Sequence, residues 1–491
     1  MGKKQNSTTT GEPKKQKQQK APPAPEIPFH EQLGKQLSEK FMTIIEQHDR
    51  TLTRYFEEQK PQYGHCVRRC SEESSLKEVI YTTTDIATAV SKMSLVRDGE
   101  HKKAPKQKTN FVLDDLNSTQ IIEQLLSHYG RMTHMGVRDH SYEFWLNPSR
   151  TAVISYRLCG KVAVISGDPV CPVWQYQDVL KEFGKWCKSH GYQYAINGAS
   201  KEMAVVAKEL AWSTITIAKE RCLNVQSNPV LTGSEGKRIR TQCKQLMKAG
   251  TQLGIYSPQH QRDSSIERTI AQIYEDWRAE RNNTTGPQAY VTVFDMFALS
   301  RLMTFIYSYD AQGTITGFSA LRQLKAGYHI DPCITISTAA RGTVDLLLIA
   351  SMALLREAGI DRLALGVEPL DEIGEVTGMS RTLETLTRKS HKLVTAELPL
   401  GGKKGFNDRF RPDDSLEEPL FLVYPNSPSV RQQVAMAHFS NVQLHKALKA
   451  RYHREVDTKI KGYWRRRQDG RIMESTAEVN VVVAQSVTVA A

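Results

Sequence analysis

Residues 328–370, YHIDPCITISTAARGTVDLLLIASMALLREAGIDRLALGVEPL, constrain the fold most tightly. Residues 330–336 alternate apolar with other side chains and are rich in β-branched types, which predicts a strand. Residues 338–342 are small and polar, and Gly342 falls where the backbone must turn closely. Residues 344–358 are apolar and helix-forming, and Gly359 stops them. Residues 362–367 predict a second buried strand. A strand, helix, strand order favours parallel strands joined by a crossover helix. The turn at Arg341, Gly342 and Thr343 opens a helix, so its N–H groups are available to an anion or a developing oxyanion. One glycine in a turn serves an ordinary βαβ core equally well.

The chain has 491 residues, enough for on the order of two or three domains. Its net charge of +13 points to a polyanion or an anionic surface as partner. The 8 cysteines form no paired CxxC set, and His65, Cys66 and Cys70 lack a second ligand pair, so no metal is expected. No secretory leader is apparent, which predicts reduced thiols and a cytoplasmic location. No run of about 20 apolar residues exists to span a bilayer. MGKKQNS misses a myristoylation signal because its hydroxyl residue falls one place late, at Ser7.

Taken in order, residues 1–29 read as a disordered basic tail, with Lys3, Lys4, Lys14, Lys15, Lys17 and Lys20 among Gln, Thr and Pro. Residues 30–110 read as a helical and linker region, its helix carrying Leu33, Leu37, Phe41, Ile44 and Ile45 on one stripe. A folded domain is expected over 111–224, with strands at 151–156 and 162–166, a Gly167-Asp168-Pro169 loop, helices at 174–190 and 201–210, and a strand at 213–218. A second is expected over 225–430, with helices at 264–281 and 296–307 before the strands resume at Ile315. The order of elements in the two stretches is similar, which predicts two similar α/β halves. Residues 431–491 read as a basic, amphipathic extension; 446–467 carry 9 Lys or Arg with Tyr452, Tyr463 and Trp464, a composition suited to RNA or to a membrane surface.

Between the halves lies GKRIRTQCKQLMKAG, residues 236–250. As a helix it places Lys237, Arg240, Lys244 and Lys248 on one face, beside Arg238, with Ile239, Cys243 and Leu246 opposite. Solvated faces ordinarily mix both signs, so a stripe of one sign points to phosphate. GGKKGFNDRFRP, residues 401–412, interleaves glycines, aromatics and the cations Lys404, Arg409 and Arg411, which suits backbone approach to phosphate and stacking on a base.

Together these segments resemble the C-terminal catalytic domain of the lysylphosphatidylglycerol synthases, the tRNA-dependent lipid aminoacyltransferases. The resemblance is carried in order by AVISGDPV at 163–170, the basic segment 236–250, GFSAL at 317–321, HID at 329–331, RGTVDLLL at 341–348, LALGVEPL at 363–370 and KKGFNDRFRP at 403–412. It implies a tandem pair of GNAT-like domains with mixed sheets. YGRMTHMGVRDHSYEF at 129–144 and the Lys-rich tail look more like the fungal branch, which esterifies the 3β-hydroxyl of ergosterol. With no fused synthetase expected, the chain resembles the free-standing members that use glycine. The implied donor is glycyl-tRNA, charged by a separate glycyl-tRNA synthetase, with no further cofactor; the implied location is cytoplasmic and peripheral to a membrane. Ile334 replaces an arginine often found three places after Asp331 in the bacterial enzymes, and Asp345 replaces a glutamate, which argues against an anionic phosphatidylglycerol head group.

Transesterification needs a polarised carbonyl, a positioned hydroxyl and a path for one proton. No GxSxG triad motif is present, so direct attack is expected. The candidate bases are Asp331 and Asp345, with His329 behind them. Gly342 and Thr343 would supply oxyanion N–H groups, and Gly167, Asp168, Pro169, His329 and Glu368 would line the substrate pocket. Lys237, Arg238, Arg240, Lys244, Lys248, Lys404, Arg409 and Arg411 would hold the tRNA. The competing readings are a phosphatidylglycerol acceptor, an acetyl-CoA-dependent acetyltransferase, whose (Q/R)xxGx(G/A) loop residues 339–344 match poorly, and a non-catalytic RNA-binding protein.

Overall fold

The computed structural model describes residues 27–58, 108–283, 293–395 and 401–440. The tail up to residue 26, the stretch 59–107 and the basic segment 446–467 lie outside the described residues.

Alternating β-branched and aromatic runs build one continuous mixed sheet of 13 strands. The first half supplies β1 (Asn110–Phe111), β2 (Glu143–Leu146), β3 (Val153–Cys159), β4 (Val162–Ser166), β5 (Gln193–Ala199) and β6 (Ser213–Asn224). The second supplies β7 (Gln252–Tyr256), β8 (Met303–Tyr309), β9 (Ile315–Gln323), β10 (Tyr328–Thr335), β11 (Arg362–Pro369), the short β12 (Val376–Thr377) and β13 (Glu418–Tyr424). The strand order is β1-β2-β3-β4-β5-β13-β6-β11-β10-β9-β8-β7, with β12 on β6. This order is symmetric about its centre. Each half is an antiparallel meander ending in a parallel pair, β4 with β5 and β10 with β11. The halves then exchange their last strands: β6 pairs β11, and β13 pairs β5. No break in the sheet falls at residue 224, because β6 is shared across it.

Helices cover both faces. One face carries α3 (Tyr176–Ser189) and α4 (Lys201–Glu209) over the first half. Over the second half it carries α1 (Phe29–Glu58), α5 (Pro229–Thr232), α6 (Lys237–Lys248), α8 (Thr343–Glu357) and α10 (Gly401–Asp408). The other face carries α2 (Leu116–Tyr129), α7 (Ser264–Asn282) and α11 (Val430–Phe439). α9 (Arg381–Thr395) follows β12. Strand alternation sorts the two cores: Ala163 and Ile165 pack under α3, while Val162 and Val164 pack under α11. The expected stripe on α1 forms: Leu33, Leu37, Phe41 and Ile45 are buried in the core with α8, and Ile44 is partly buried against it. Each such side chain contributes about 1.5–3 kcal/mol.

One expected element differs. Residues 296–307 are not a helix; a short 3₁₀ turn leads into the strand β8, whose sequence MTFIYSY carries the β-branched and aromatic signal. The stretch around Lys404 forms the helix α10, with Phe406 on it and Phe410 just beyond it packed on the core beside α8.

Candidate active site

The site grows from a split in the sheet. β10 and β11 run parallel but pair at only two positions, Tyr328 with Leu363 and His329 with Ala364, whereas β4 and β5 pair at five. Past His329 the register of β10 shifts between Ile330 and Cys333, and that of β11 between Ala364 and Gly366. A crevice at the carboxyl ends of parallel strands is where an open α/β sheet admits a ligand. Gly366 has φ +113°, and a Cβ there would stand 3.0 Å from Lys403 Nζ and 3.8 Å from His329 Nε2. The left-handed φ favours glycine there, and the position lies between the exposed Lys403 of α10 and the buried His329 of the opposite face.

On that opposite face, under α7, three bases are buried together. Arg138, Arg322 and His329 are each 1% exposed. Arg322 and His329 are cross-strand neighbours on β9 and β10. Arg138 Nη2 donates to the Asp331 carbonyl at 2.7 Å, and its guanidinium lies 4.3 Å from the Phe294 ring centre. Arg322 Nη2 donates to the carbonyls of Arg131 and Met132, each at 3.3 Å. Burial and the nearby Arg138 charge pull Arg322 down to about 9. Burial, then Arg322, Lys403 and Arg138, hold His329 well below the ordinary histidine value, so its imidazole is neutral. The Asp331 charge acts on both guanidiniums.

The two candidate acids stand on opposite faces of the sheet. Asp331 faces Arg138, Arg322 and Tyr274. Asp345, in the first turn of α8, is held by Arg409 at 2.5 Å. Gly342 caps α8 in the left-handed region at φ +98°, and Gln242 of α6 donates to the Arg341 carbonyl at 3.0 Å. The Thr343 N–H donates to the Ala340 carbonyl at 3.1 Å, so it is not a free oxyanion donor. Glu368 lies on the α10 face, ion-paired with Arg221 at 3.3 Å, Lys404 at 3.5 Å and Lys219 at 3.8 Å.

The Gly167-Asp168-Pro169 loop is a brace, not a pocket wall. Asp168 is 1% exposed, and its carboxylate accepts from the Ser200 N–H at 2.9 Å and the Tyr176 hydroxyl at 3.3 Å and pairs with Arg131 at 3.3 Å. Gly167, at φ +74°, lets Thr133 and His134 approach closely. The neighbouring Ser166, Asn197 and Gly198 instead line an open cleft, about 660 Å³ with its mouth included. Met135, Ile217, Ala218, Val367, Leu420 and Phe439 give that cleft its apolar wall, and it opens on the same face as Arg138.

The basic helix forms as expected, with Cys243 and Leu246 buried and Lys237, Arg238, Lys244 and Lys248 exposed. Arg240 leaves the stripe: its guanidinium donates to the carbonyls of Val230 and Gly233, fastening α6 to α5. Arg411 is paired with Glu235 at 2.6 Å. Arg341 is exposed beside α6 and extends the stripe toward α8. Sequence reasoning gave Arg138, Arg322 and Lys403 no role; burial makes the two arginines notable, and closeness to Gly366 the exposed lysine. No helix among the described residues is long and apolar enough to cross a membrane.

A tandem mixed α/β sheet with its second parallel pair splayed is the architecture of GNAT-like acyl-transfer domains. The fold matches the C-terminal domain assigned to a lysylphosphatidylglycerol synthetase from Agrobacterium fabrum (TM-score 0.50, 18% identity, 66% of this chain and 94% of that one). It also matches L-PGS from Bacillus licheniformis (TM-score 0.52, 16% identity, 68% and 98%). Residues 123–424 match the family described as phosphatidylglycerol lysyltransferase, C-terminal, and the chain belongs to that family. An MprF-like domain protein of Mycobacterium tuberculosis is 26% identical over 286 residues, 56% of each chain. The lysylphosphatidylglycerol biosynthesis bifunctional protein LysX of Mycobacterium marinum is 24% identical over 250 residues, 50% of this chain and 22% of that protein. The chain thus spans about half or less of the curated relatives it matches.

Proposed function

We propose that this chain transfers an amino acid from aminoacyl-tRNA to a lipid hydroxyl, with glycyl-tRNA as donor and the 3β-hydroxyl of ergosterol as acceptor. The observation that carries the reading is the split between β10 and β11, which has a basic surface on one side and an apolar cleft toward the other. Lys237, Arg238, Lys244, Lys248 and Arg341 hold the tRNA phosphates on the α6 face, and the acceptor end enters past Lys403. The acceptor lipid lies in the cleft walled by Val367 and Leu420. The hydroxyl oxygen attacks the ester carbonyl while its proton passes to a base. Asp331 is that base, because Asp345 is engaged by Arg409. The neutral imidazole of His329 lies beside the path and orients the hydroxyl.

The neutral acceptor is supported by Ile334, which is 5% exposed and packed in the apolar cluster with Phe318 and Tyr274. A side chain in that position meets core, not a head group. Glycine and the sterol rest on the resemblance of residues 129–144 and of the motif set to the free-standing branch of these enzymes. Charged tRNA then comes from a separate glycyl-tRNA synthetase. Val430 and Val434, 77% and 55% exposed one turn apart on α11, suit peripheral contact with a cytoplasmic membrane surface.

The test combines purified protein, labelled glycine, tRNA, glycyl-tRNA synthetase and ergosterol, with phosphatidylglycerol in a parallel reaction. Label is expected in the sterol fraction, abolished by ribonuclease. Label in phosphatidylglycerol alone overturns the sterol acceptor; sterol labelled with aspartate but not glycine overturns the donor.

A further inference from the structure

We propose that Arg138 and Arg322 form a buried oxyanion subsite that holds the carbonyl oxygen of the donor ester as negative charge develops on it. The proposal rests on the transesterification reading above and adds to it two residues to which the sequence assigned no role.

Both side chains are 1% exposed, and the Nε and Nη1 of each have no hydrogen-bond partner among the described residues. Their Nη2 atoms are anchored to backbone carbonyls, Arg138 to Asp331 and Arg322 to Arg131 and Met132. Each guanidinium is therefore fixed by one nitrogen while its remaining donors are unsatisfied. Buried charges ordinarily find a partner, because leaving a buried donor unsatisfied costs about 1–3 kcal/mol and more when it is charged. Here two fixed cations repel each other, and Asp331 is the acid that most offsets the pair. A further positive group, Lys403, adds its charge at His329 from the other face. The cluster is short of negative charge in the resting protein.

The placement fits a reacting carbonyl. Arg322 stands opposite His329, the last residue of β10 to pair with β11 before the strands part. Arg138 bonds to the backbone of Asp331, the residue assigned as base. Base and oxyanion donors thus flank one point at the split. The N–H of Thr343, one of the two backbone donors expected for this chemistry, is already bonded to Ala340. Donors fixed before the reaction and shielded from water are worth most when charge appears late.

The step balances. The acceptor oxygen bonds to the carbonyl carbon, its proton moves to Asp331, and the carbonyl electron pair moves onto the oxygen held by Arg138 and Arg322. Collapse re-forms the carbonyl and breaks the bond to the ribose oxygen, which takes the proton back from Asp331.

The experiment has two readouts on full-length protein. The first uses inorganic sulfate as a small oxyanion, titrated at constant ionic strength while the unfolding temperature is followed. Wild type is expected to show a saturable rise that R138M and R322M lose. Both variants should start from a higher unfolding temperature than wild type, since removing an unpaired buried charge relieves the resting protein. Should either Met variant fail to fold, Asp331→Asn serves instead, and it should strengthen the sulfate response by removing the competing acid. No saturable response in wild type, or an undiminished one in the variants, overturns the subsite whatever the acceptor lipid proves to be. The second readout is turnover. R138K and R322K should lower kcat by about 10²–10³-fold with little change in KM for aminoacyl-tRNA. A raised KM with kcat intact would mean that the pair holds a substrate phosphate, and would overturn the oxyanion assignment.

Discussion

The Asp345 carboxylate lies 2.5 Å from the Arg409 guanidinium, joining the first turn of α8 to the chain just beyond α10. Read separately from sequence, one residue is a base and the other a tRNA contact. Joined, each satisfies the other. Asp345→Asn, Arg409→Gln and the double variant should therefore form a non-additive cycle in urea unfolding, with a coupling of about 0.5–3 kcal/mol. Turnover should fall far less than for Asp331→Asn, which removes the assigned base and about 10²–10⁴-fold of rate. A drop of that size for Asp345→Asn, with Arg409→Gln near wild type, would return the role to Asp345.

The basic stripe divides into phosphate-binding cations and a fastener. Lys237→Glu, Arg238→Glu and Lys244→Glu change exposed side chains on α6. Each should weaken tRNA binding and lower the salt slope by about 1 for every phosphate left without its cation, with unfolding unchanged. Arg240→Glu should instead lower the unfolding temperature, because its guanidinium holds the carbonyls of Val230 and Gly233. Binding titrations over a salt series, beside thermal unfolding, separate the two; an unchanged slope for all three lysine and arginine reversals would exclude this face.

Asp168 should matter to stability before it matters to catalysis. Its carboxylate joins β4, the start of α4 and Arg131. Asp168→Ala leaves Arg131 short of one partner and the Ser200 N–H buried without its acceptor. The cost should be about 3–5 kcal/mol, measured by urea unfolding. A loss of turnover with stability intact would place Asp168 in the substrate pocket after all.

His134 sets a pH dependence of stability. The Arg131 N–H donates to its Nδ1 at 2.8 Å, and its Nε2–H donates to the Asp168 carbonyl at 2.9 Å, so both ring nitrogens are used by the neutral form. Burial pulls the folded value down to about 4 from 6.5. Above 6.5 neither state holds the proton and stability is full. As pH falls below that, the unfolded chain takes a proton that the native state refuses, and stability falls by about 1.4 kcal/mol per pH unit toward the folded value. His329 acts in the same direction. Urea midpoints between about pH 7 and 5 should show this slope, and His134→Gln should reduce it. A slope unchanged in that variant would assign the dependence to other groups.

The sequence by itself determined most of the local elements of both halves, residues 296–307 excepted. The β-branched alternation before Gly342 and the apolar run after it required a strand and a buried helix, and β10 and α8 fall within two residues of those limits. The one-signed stripe of residues 236–250 required an amphipathic helix, and α6 buries the side opposite its cations. These follow from short-range periodicity, which a chain carries in its own order of residues. What only the tertiary structure decided is which residues meet. Local pattern contains nothing to say that β6 leaves its own half to pair with β11, or that β13 replaces it beside β5. Nor does it say that Arg240 is spent on backbone carbonyls while Arg138 and Arg322, from opposite halves, are buried beside His329. A charged residue reads the same in sequence whether exposed or buried. Its role depends on desolvation and on partners that are distant along the chain, and both exist only once the strand exchange has closed the sheet.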